Sequence, residues 1–297
     1  MGWTLWVAFA ALCTLSGTSW AIPGGLLELP KLEEQGLLFG AIGMIAFLFA
    51  GRGMWARVGN LRWRRLAIAG AGFFGIPIVA VEYARGSVPG TSRSALFAMI
   101  PIVIALVVTA SDTTAGEERS ARQALVPALV GLGGLLLLLP LGFSGSVRGW
   151  IMLGVVGAAV VVVGVASVWM YRLLREFGLV DAIAIVGLVN AFFLLAVSAA
   201  RQDVVWRWSE VASVVSASSL VDVVEVLLIV WLLREMMPIR FAARYLLIPL
   251  ITVLESYVLM RPEWTVRMGA GTVLLAIGGG MLLFLKSSDE EAVLSLR

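Results

Sequence analysis

Residues 149–171 form an apolar run that contains no charged side chain. An α-helix rises about 1.5 Å per residue. A run of this length therefore crosses the hydrocarbon core of a bilayer, which is about 30 Å thick. Nine further apolar runs predict nine more membrane-spanning helices. The ten predicted spans are 3–22, 36–51, 66–84, 94–110, 124–143, 149–171, 180–199, 211–233, 241–260 and 268–286.

The overall composition supports an all-α, polytopic membrane protein. Hydrophobic residues make up 60% of the 297 residues, and the mean hydropathy is +0.98. Both values exceed what a water-soluble domain of this size buries. The connections between the spans are short, so the sequence predicts a single membrane domain over residues 1–297.

Composition also excludes several classes of function. The net charge is +3, but the sequence has no run of basic residues interleaved with aromatic residues. We therefore expect no nucleic-acid partner. The chain has no histidine, which removes imidazole-based triads and argues against a zinc site. The single cysteine, Cys13, cannot form an intrachain disulfide. We therefore expect no metal, no cofactor and no enzymatic activity.

The distribution of arginine and lysine predicts the orientation of the chain. With both termini in the cytoplasm, 14 of the 22 basic residues fall on the cytoplasmic side, as the positive-inside rule requires. The cluster "RGMWARVGNLRWRR" between the second and third spans contributes most to this bias. The first span ends in "TSWA", which resembles a signal-peptide cleavage site, but no basic residue precedes the span, so a retained first helix is predicted.

Two segments of the sequence resemble each other. Both segments have an aromatic residue, a short polar break and two prolines. They read "EYARGSVPGTSRSALFAMIPIVIALV" and "VWLLREMMPIRFAARYLLIPLITVLE". The prolines are Pro89 and Pro101 in the first segment, and Pro238 and Pro249 in the second. This similarity indicates an internal duplication.

A duplicated half of five spans must insert upside down, because five is an odd number. The sequence therefore predicts two inverted five-helix repeats, over residues 1–145 and 146–297, with a binding site near the midplane between them. Pro101 and Pro249 are predicted to bend the fourth and ninth helices and to leave carbonyl groups without helical donors. This is an architecture of secondary transporters.

Five stretches resemble a known family: "LCTLSGTSWAI", the two proline-containing segments, "GEERSARQALVPALVGLGGLLLL" and "RPEWTVRMGAGTVLLAIGGGMLLF". In this order they make the chain similar to the drug/metabolite transporter superfamily, specifically to EamA-like ten-helix transporters, over nearly its whole length. The resemblance implies export of a small metabolite, an amino acid-like compound or a drug across the cytoplasmic (inner) membrane. It also implies a central cavity lined largely by the third, fourth, eighth and ninth spans.

Polar residues inside the spans are the candidates for function. Ser218, Asp222 and Glu225 fall within a sector of about 60° on the eighth span, at about 100° per residue. A carboxylate deep in a membrane is costly unless it faces water, a partner or a substrate. The stripe is therefore predicted to line a cavity and to exchange protons.

Further polar residues are predicted to line the same substrate or proton-coupling cavity. Intramembrane ionisable groups are candidates for such a role by default. These residues are Glu82 and Tyr83 at the end of the third span, Asn190 in the seventh, and Tyr245 and Glu255 in the ninth.

"GAGFFG", residues 70–75, matches the dinucleotide-binding pattern, but it lies inside a predicted span without a preceding strand. Its glycines are predicted to serve helix packing instead.

The sequence favours a secondary transporter that works by alternating access and is coupled to protons. The expected partners are a small-molecule substrate, protons and the lipid bilayer, and the chain is expected to be a monomer or a homodimer. Two alternatives are a transport-inactive membrane sensor or assembly subunit and, less favoured, a membrane-embedded lipid enzyme. The loops lack the paired acids or metal spacing that such an enzyme needs.

The arginine distribution generates a test of topology. Single cysteines at Asn60 and Glu290, in a chain whose Cys13 is changed to Ala, should both react with impermeant thiol reagents only from the cytoplasmic side. Labelling of the two positions from opposite sides would contradict the model of ten spans.

Overall fold

The structure is a computed structural model that describes residues 2–19, 30–50, 61–111, 115–139, 142, 145–202, 217–261, 263 and 265–285. Within these ranges the regular secondary structure is helical, with no β-strand. Eight helices of the described chain are long and apolar enough to cross a membrane. The prediction of an all-α, multi-pass membrane protein is therefore confirmed.

Each of these eight helices overlaps one predicted span. They are Lys31–Ala50, Leu61–Ala84, Gly90–Ala110, Glu118–Leu138, Val147–Leu174, Leu179–Ala200, Pro238–Met260 and Val266–Leu283. The second predicted span, which was short at 36–51, begins five residues earlier in the structure and reaches 20 residues.

The other two predicted spans also correspond to helices. Trp3–Thr18 is an apolar helix of 16 residues. Ala217–Glu235 has 19 residues and carries four charged side chains within its apolar sequence. Residues 20–22 and 211–216 of these predicted spans lie outside the described residues.

Some spans consist of more than one helix, so the helices are numbered separately. They are α1 Trp3–Thr18, α2 Lys31–Ala50, α3 Leu61–Gly70, α4 Ile76–Ala84, α5 Gly90–Phe97, α6 Ile100–Ala110, α7 Ala115–Leu138, α8 Val147–Leu174, α9 Leu179–Ala200, α10 Ala217–Glu235, α11 Pro238–Ala242, α12 Arg244–Met260 and α13 Val266–Leu283. A π-helical segment, Ala71–Gly75, joins α3 to α4.

Residues 1–83 and 169–235 form one compact unit. Its main contact is an antiparallel pair of helices, α2 and α9. A Cβ atom added to Gly43 would lie 2.6 Å from the backbone nitrogen of Leu188 and 2.8 Å from the carbonyl carbon of Gly187. Only glycine allows backbones to approach this closely. Helix α1 packs against α10, and α3 packs against α9.

Residues 84–168 and 236–297 form the second unit. Its main contact is the pair α7 and α13, and here too glycines face each other. A Cβ atom on Gly271 would lie 2.9 Å from the Gly134 carbonyl oxygen, and one on Gly278 would lie 2.5 Å from Gly131 Cα. Helix α6 packs against α7, and α12 packs against α13.

Each unit therefore takes its central pair from both halves of the sequence. Helices α2 and α9 are the second and seventh predicted spans, and α7 and α13 are the fifth and tenth. In both pairs the partners are five spans apart. This is the separation between equivalent spans in a chain built from two five-helix repeats.

Glycine packing in the second unit can be tested with two neighbouring residues of α13. A Cβ atom on Gly278 would meet backbone atoms of Gly131 and also Pro127 O at 2.6 Å, whereas nothing lies within 4 Å of a Cβ atom on Gly280. Gly278→Ala should lower the stability by about 1–3 kcal/mol, the usual cost of forcing atoms into a packed interface. Gly280→Ala is the matched control.

The measurement is thermal unfolding in detergent, followed by intrinsic tryptophan fluorescence. Equal melting temperatures for the two variants would show that α7 and α13 do not pack through Gly278.

Candidate functional site

The predicted cavity residues are divided between the two units. The first unit contains Glu82, Tyr83, Asn190, Asp222 and Glu225, and the second contains Tyr245 and Glu255. The side chain of Ser218 lies outside the described residues.

Asp222 is held by a residue that the sequence analysis did not select. The Gln35 side-chain amide donates a hydrogen bond from Nε2 to Asp222 Oδ2 at 3.1 Å. Gln35 is four residues from the start of α2, where Lys31 Nζ contacts Glu34 Oε2 at 2.8 Å. Asp222 therefore lies near the N-terminal end of α2.

The described part of the eighth predicted span is α10, Ala217–Glu235, and residues 211–216 lie outside the described residues. The depth predicted for Asp222 within this span stays a prediction. Glu225 is half-buried and lies almost one turn further along the same face of α10.

Asn190 is fully buried in the middle of α9. Its side-chain Nδ2 donates hydrogen bonds to the carbonyl oxygens of Val186, at 2.7 Å, and Gly70, at 3.3 Å. Gly70 immediately precedes the π-helical segment Ala71–Gly75. The Asn190 amide therefore contacts the third span at the point where it changes from α- to π-helical geometry.

The π-helical segment is most of the "GAGFFG" motif. The predicted packing role of its glycines is confirmed, because a Cβ atom on Gly75 would lie 2.6 Å from the Phe193 ring and 2.8 Å from Asn190 Oδ1. The π-helix itself was not predicted. π-Helical turns occur mostly within α-helices and frequently at functional sites.

Two further buried polar residues lie toward the end of the α2 and α9 pair. Gly36 faces Leu195 and Gly43 faces Leu188, so the antiparallel register places Glu33 level with Ser198. Glu33 is 2% exposed and Ser198 is fully buried. Sequence analysis missed Glu33 because it assigned this part of the chain to a loop, whereas α2 begins at Lys31.

Tyr83 is also in contact with a charged residue. The Arg201 guanidinium lies over the Tyr83 ring, 4.7 Å from its centroid. Arg201 follows the last residue of α9. Glu82 is half-buried beside Tyr83 near the end of α4. The first unit thus places aromatic and charged groups at one end of its third and seventh spans.

In the second unit, Arg244 and Tyr245 are brought together. Arg244 is 6% exposed, and its Nη2 donates a hydrogen bond to the Tyr245 hydroxyl oxygen at 2.6 Å. The guanidinium carbon also lies over the rings of Phe241 and Tyr245, 4.2 and 4.6 Å from their centroids. The site combines a buried cation, a phenol hydroxyl and two aromatic faces.

The two predicted bends differ in the structure. Pro101 is in the first turn of α6, directly after the interruption at Ala98 and Met99. In the ninth span the interruption is at Ala243, and Pro249 lies inside the continuous helix α12. Because proline has no N–H group, Pro249 cannot donate to the carbonyl of Tyr245 four residues earlier.

Glu255 is half-buried on α12, 11 residues after Arg244. At about 1.5 Å per residue the two are roughly 16 Å apart along the helix, so they do not form a pair. Among the described residues, no group of three His, Cys, Asp or Glu side chains could hold a metal ion.

Comparison with known proteins indicates a shared fold. No family model matches the chain, and no curated protein matches it in sequence. Twenty-three solved chains match it in structure. One of them, described as "Crystal structure of protein", has a TM-score of 0.70 and 18% sequence identity, covering 98% of this chain and 100% of that chain. At this level of identity the likeness concerns the fold alone.

The buried hydrogen bonds of α9 can be tested with two substitutions in that helix. Asn190→Asp replaces the amide donor by a carboxylate that cannot donate to the Gly70 and Val186 carbonyls. The substitution should lower the free energy of unfolding by about 1–3 kcal/mol or more, because it leaves a buried negative charge facing carbonyl oxygens. Ser198→Ala is the control, since within the described chain the Ser198 hydroxyl has no hydrogen-bond partner.

Thermal unfolding at pH 8 and at pH 5 measures both variants. Asn190→Asp should unfold at a lower temperature, with a smaller deficit at pH 5, where the acid regains a proton to donate. A larger loss for Ser198→Ala than for Asn190→Asp would contradict the assignment.

Proposed function

We propose that this protein is a secondary transporter of the drug/metabolite transporter superfamily, of the EamA-like type. It exports a small metabolite across the cytoplasmic membrane by alternating access, in exchange for protons. The eight apolar helices and the resemblance of the sequence segments support this proposal. The pairing of helices five spans apart in each unit also supports it, because two inverted five-helix repeats would produce it.

The proposal includes ten spans, with both termini in the cytoplasm. The additional spans are α1, with 16 residues, and α10, with 19. Their lengths correspond to about 24 and 28 Å of helix, close to the thickness of the hydrocarbon core. Two of the charged residues of α10, Asp222 and Glu225, are the ones to which the proposal assigns a function.

The observation that carries the proposal is the hydrogen bond between Gln35 and Asp222. A carboxamide contains both a donor and an acceptor. Gln35 can therefore remain bonded to Asp222 whether the carboxyl group is ionised or protonated. A carboxylate held by an arginine would have to break an ion pair before it could bind a proton, and Asp222 avoids that cost.

The charged groups around Asp222 are consistent with this role. Lys31 and Glu34 on α2 are close enough to influence it electrostatically, with opposite signs. They also form an ion pair with each other, in which Lys31 Nζ lies 2.8 Å from Glu34 Oε2. Glu225 follows on the same face of α10, and a second nearby carboxylate favours a shared proton.

The test compares Asp222→Asn and Glu225→Gln in reconstituted vesicles. The substrate is first identified from the metabolites exported by cells with and without the protein. Both variants should remain folded and inserted, yet lose export driven by a pH gradient. Exchange of substrate between compartments of equal pH should survive, because the cavity is kept and only the proton site is removed.

Glu263→Gln is the control, because Glu263 is exposed. If the carboxylates only stabilise the fold, the melting temperature in detergent falls before coupling is lost. Normal proton-driven flux together with normal stability in both variants would refute the assignment of coupling to this stretch.

A further inference from the structure

One end of the first unit carries an excess of arginine. Arg62 Nη1 lies 3.3 Å from Glu176 Oε2, so the start of α3 is beside the connection from α8 to α9. Arg175 Nε donates to Arg234 O at 3.3 Å, which brings the end of α10 to the same place. The described part of this end has six arginines and three acids, which are Arg62, Arg64, Arg65, Arg172, Arg175, Arg234, Glu176, Asp181 and Glu235.

Three of these arginines are accessible to a partner outside the chain. Arg64, Arg65 and Arg172 are exposed. Within the described chain, no residue forms a hydrogen bond or an ion pair with them. The acids Glu176 and Glu235 instead contact other arginines of this end, at 3.3 and 3.6 Å. The positive charge of the three exposed guanidinium groups is therefore not balanced by these acids.

The exposed face of α3 places two of the three on the lipid-facing side of the unit. Leu61, Arg64, Arg65 and Ile68 lie within about 100° of one another, at about 100° per residue. Leu61 and Ile68 are 59% and 65% exposed, whereas Trp63, on the opposite face, is 5% exposed. Exposed apolar side chains on a membrane helix face lipid. The two guanidinium groups between them can reach the headgroups, because arginine side chains extend toward the interface.

Arg172 has a similar position on α8. It lies in the last turn of this helix, which ends at Leu174. Trp169, one turn earlier and about 60° away around the helix, is 50% exposed. Tryptophan is enriched at the boundary between the hydrocarbon core and the headgroups. An exposed tryptophan followed by an exposed arginine one turn later is the order expected where a helix leaves the core through the headgroup layer.

The arginines of the two helices lie at a similar level. Arg64 is two residues from Arg62, and Arg172 is four residues from Glu176, so each is within about one helical turn of the contact that joins these parts of the chain. One end of the unit therefore presents guanidinium groups from two helices to the same layer of the membrane.

From these positions we infer that this end of the first unit binds the phosphate groups of anionic phospholipids, such as phosphatidylglycerol. The planar donors of a guanidinium match two phosphate oxygens. The exposed side chains of Ile68 and Trp169 would lie beside the acyl chains of the same lipid, which favours a lipid over a soluble phosphate compound. The inference requires only that the chain lies in a membrane, so it does not rest on the proposed transport.

Net charge separates anionic from zwitterionic lipids. Both kinds contain a phosphate, but a choline headgroup adds a positive charge that the arginines do not favour. Each arginine near an anionic membrane surface strengthens binding about fivefold. A site with three exposed arginines should therefore prefer the anionic lipid strongly, and removal of two should cancel most of that preference.

The experiment measures retention of lipid by native mass spectrometry. The purified full chain in detergent is titrated with dioleoyl phosphatidylglycerol and with dioleoyl phosphatidylcholine, which have the same acyl chains. Phosphatidylglycerol should bind at least tenfold more tightly. The double substitution Arg64→Gln and Arg172→Gln should weaken the binding of phosphatidylglycerol at least tenfold and leave that of phosphatidylcholine within about twofold.

The matched control is the double substitution Arg148→Gln and Arg261→Gln. It also removes two exposed arginines, but from the second unit. The control should keep the wild-type affinity for phosphatidylglycerol within about twofold. Should the first double variant fail to fold, Arg64→Gln and Arg172→Gln are measured singly, and each should weaken binding about fivefold.

Several outcomes would overturn the inference. Equal affinities for the two lipids would show that the charge of the headgroup is not recognised. An equal loss in the control would show that the lipid responds to the total charge of the chain rather than to this end of the first unit. Displacement of phosphatidylglycerol by millimolar inorganic phosphate would identify a site for a soluble anion instead of a lipid.

Discussion

The close approach of glycine backbones is the contact on which the rest of this structure depends. Lipid tails are as apolar as the side chains, so helices in a membrane associate through close packing rather than through exclusion of water. Gly43 and Gly187 allow this packing in the first unit, as Gly131 and Gly278 do in the second. Because backbone contacts of this kind permit little sliding, they also fix the register of each pair. The register then determines which polar side chains meet.

A second constraint is that backbone groups inside a membrane need partners within the protein. The last carbonyls of each helix lack helical donors, and arginine side chains donate to several of them. Arg175 donates to Arg234 O at 3.3 Å, and Arg267 donates to Leu137 O at 2.6 Å. Arg240 donates to Leu285 O, so each of these contacts caps the C-terminal end of a helix. Residues that sequence analysis treated only as topology signals or omitted therefore also hold helices together.

Sequence analysis predicted the helices well because their signal is local. A run of apolar residues indicates a membrane-spanning helix without reference to the rest of the chain. The eight apolar helices follow the predicted spans, although some ends differ by several residues. The predicted helix ends differ from the structure where charged residues continue a helix. Helix α7 begins at Ala115, nine residues before the predicted span, and Glu118 and Arg122 form an ion pair within its first turns. Apolar length cannot detect such an extension.

The site was predicted less completely, because its contacts join distant parts of the chain. Asp222 was selected for its charge, but its partner Gln35 is 187 residues away and is an ordinary polar residue near a helix end. Asn190 was selected for its central position, but the π-helix it contacts has no sequence signal beyond three glycines that also fit an α-helix. Tyr245 was selected, and Arg244, which donates a hydrogen bond to it, is its neighbour in the sequence.

The two proline-containing segments each begin a short helix, and different side chains hold the two helices in place. Pro89 precedes α5 and Pro238 begins α11, and each short helix is fastened to the end of the last span in its half of the sequence. In the first segment the Ser92 hydroxyl donates to Gly142 O at 2.8 Å; in the second, Arg240 donates to Leu285 O.

The two side chains differ in length and in charge. The serine hydroxyl is short and neutral, whereas the arginine brings a long side chain and a positive charge to the contact. The second segment also buries two cations, Arg240 and Arg244, for which the first segment has no buried counterpart among the described residues. The two segments therefore share their prolines and a contact to a later carbonyl, but a similar sequence pattern does not give them the same chemistry.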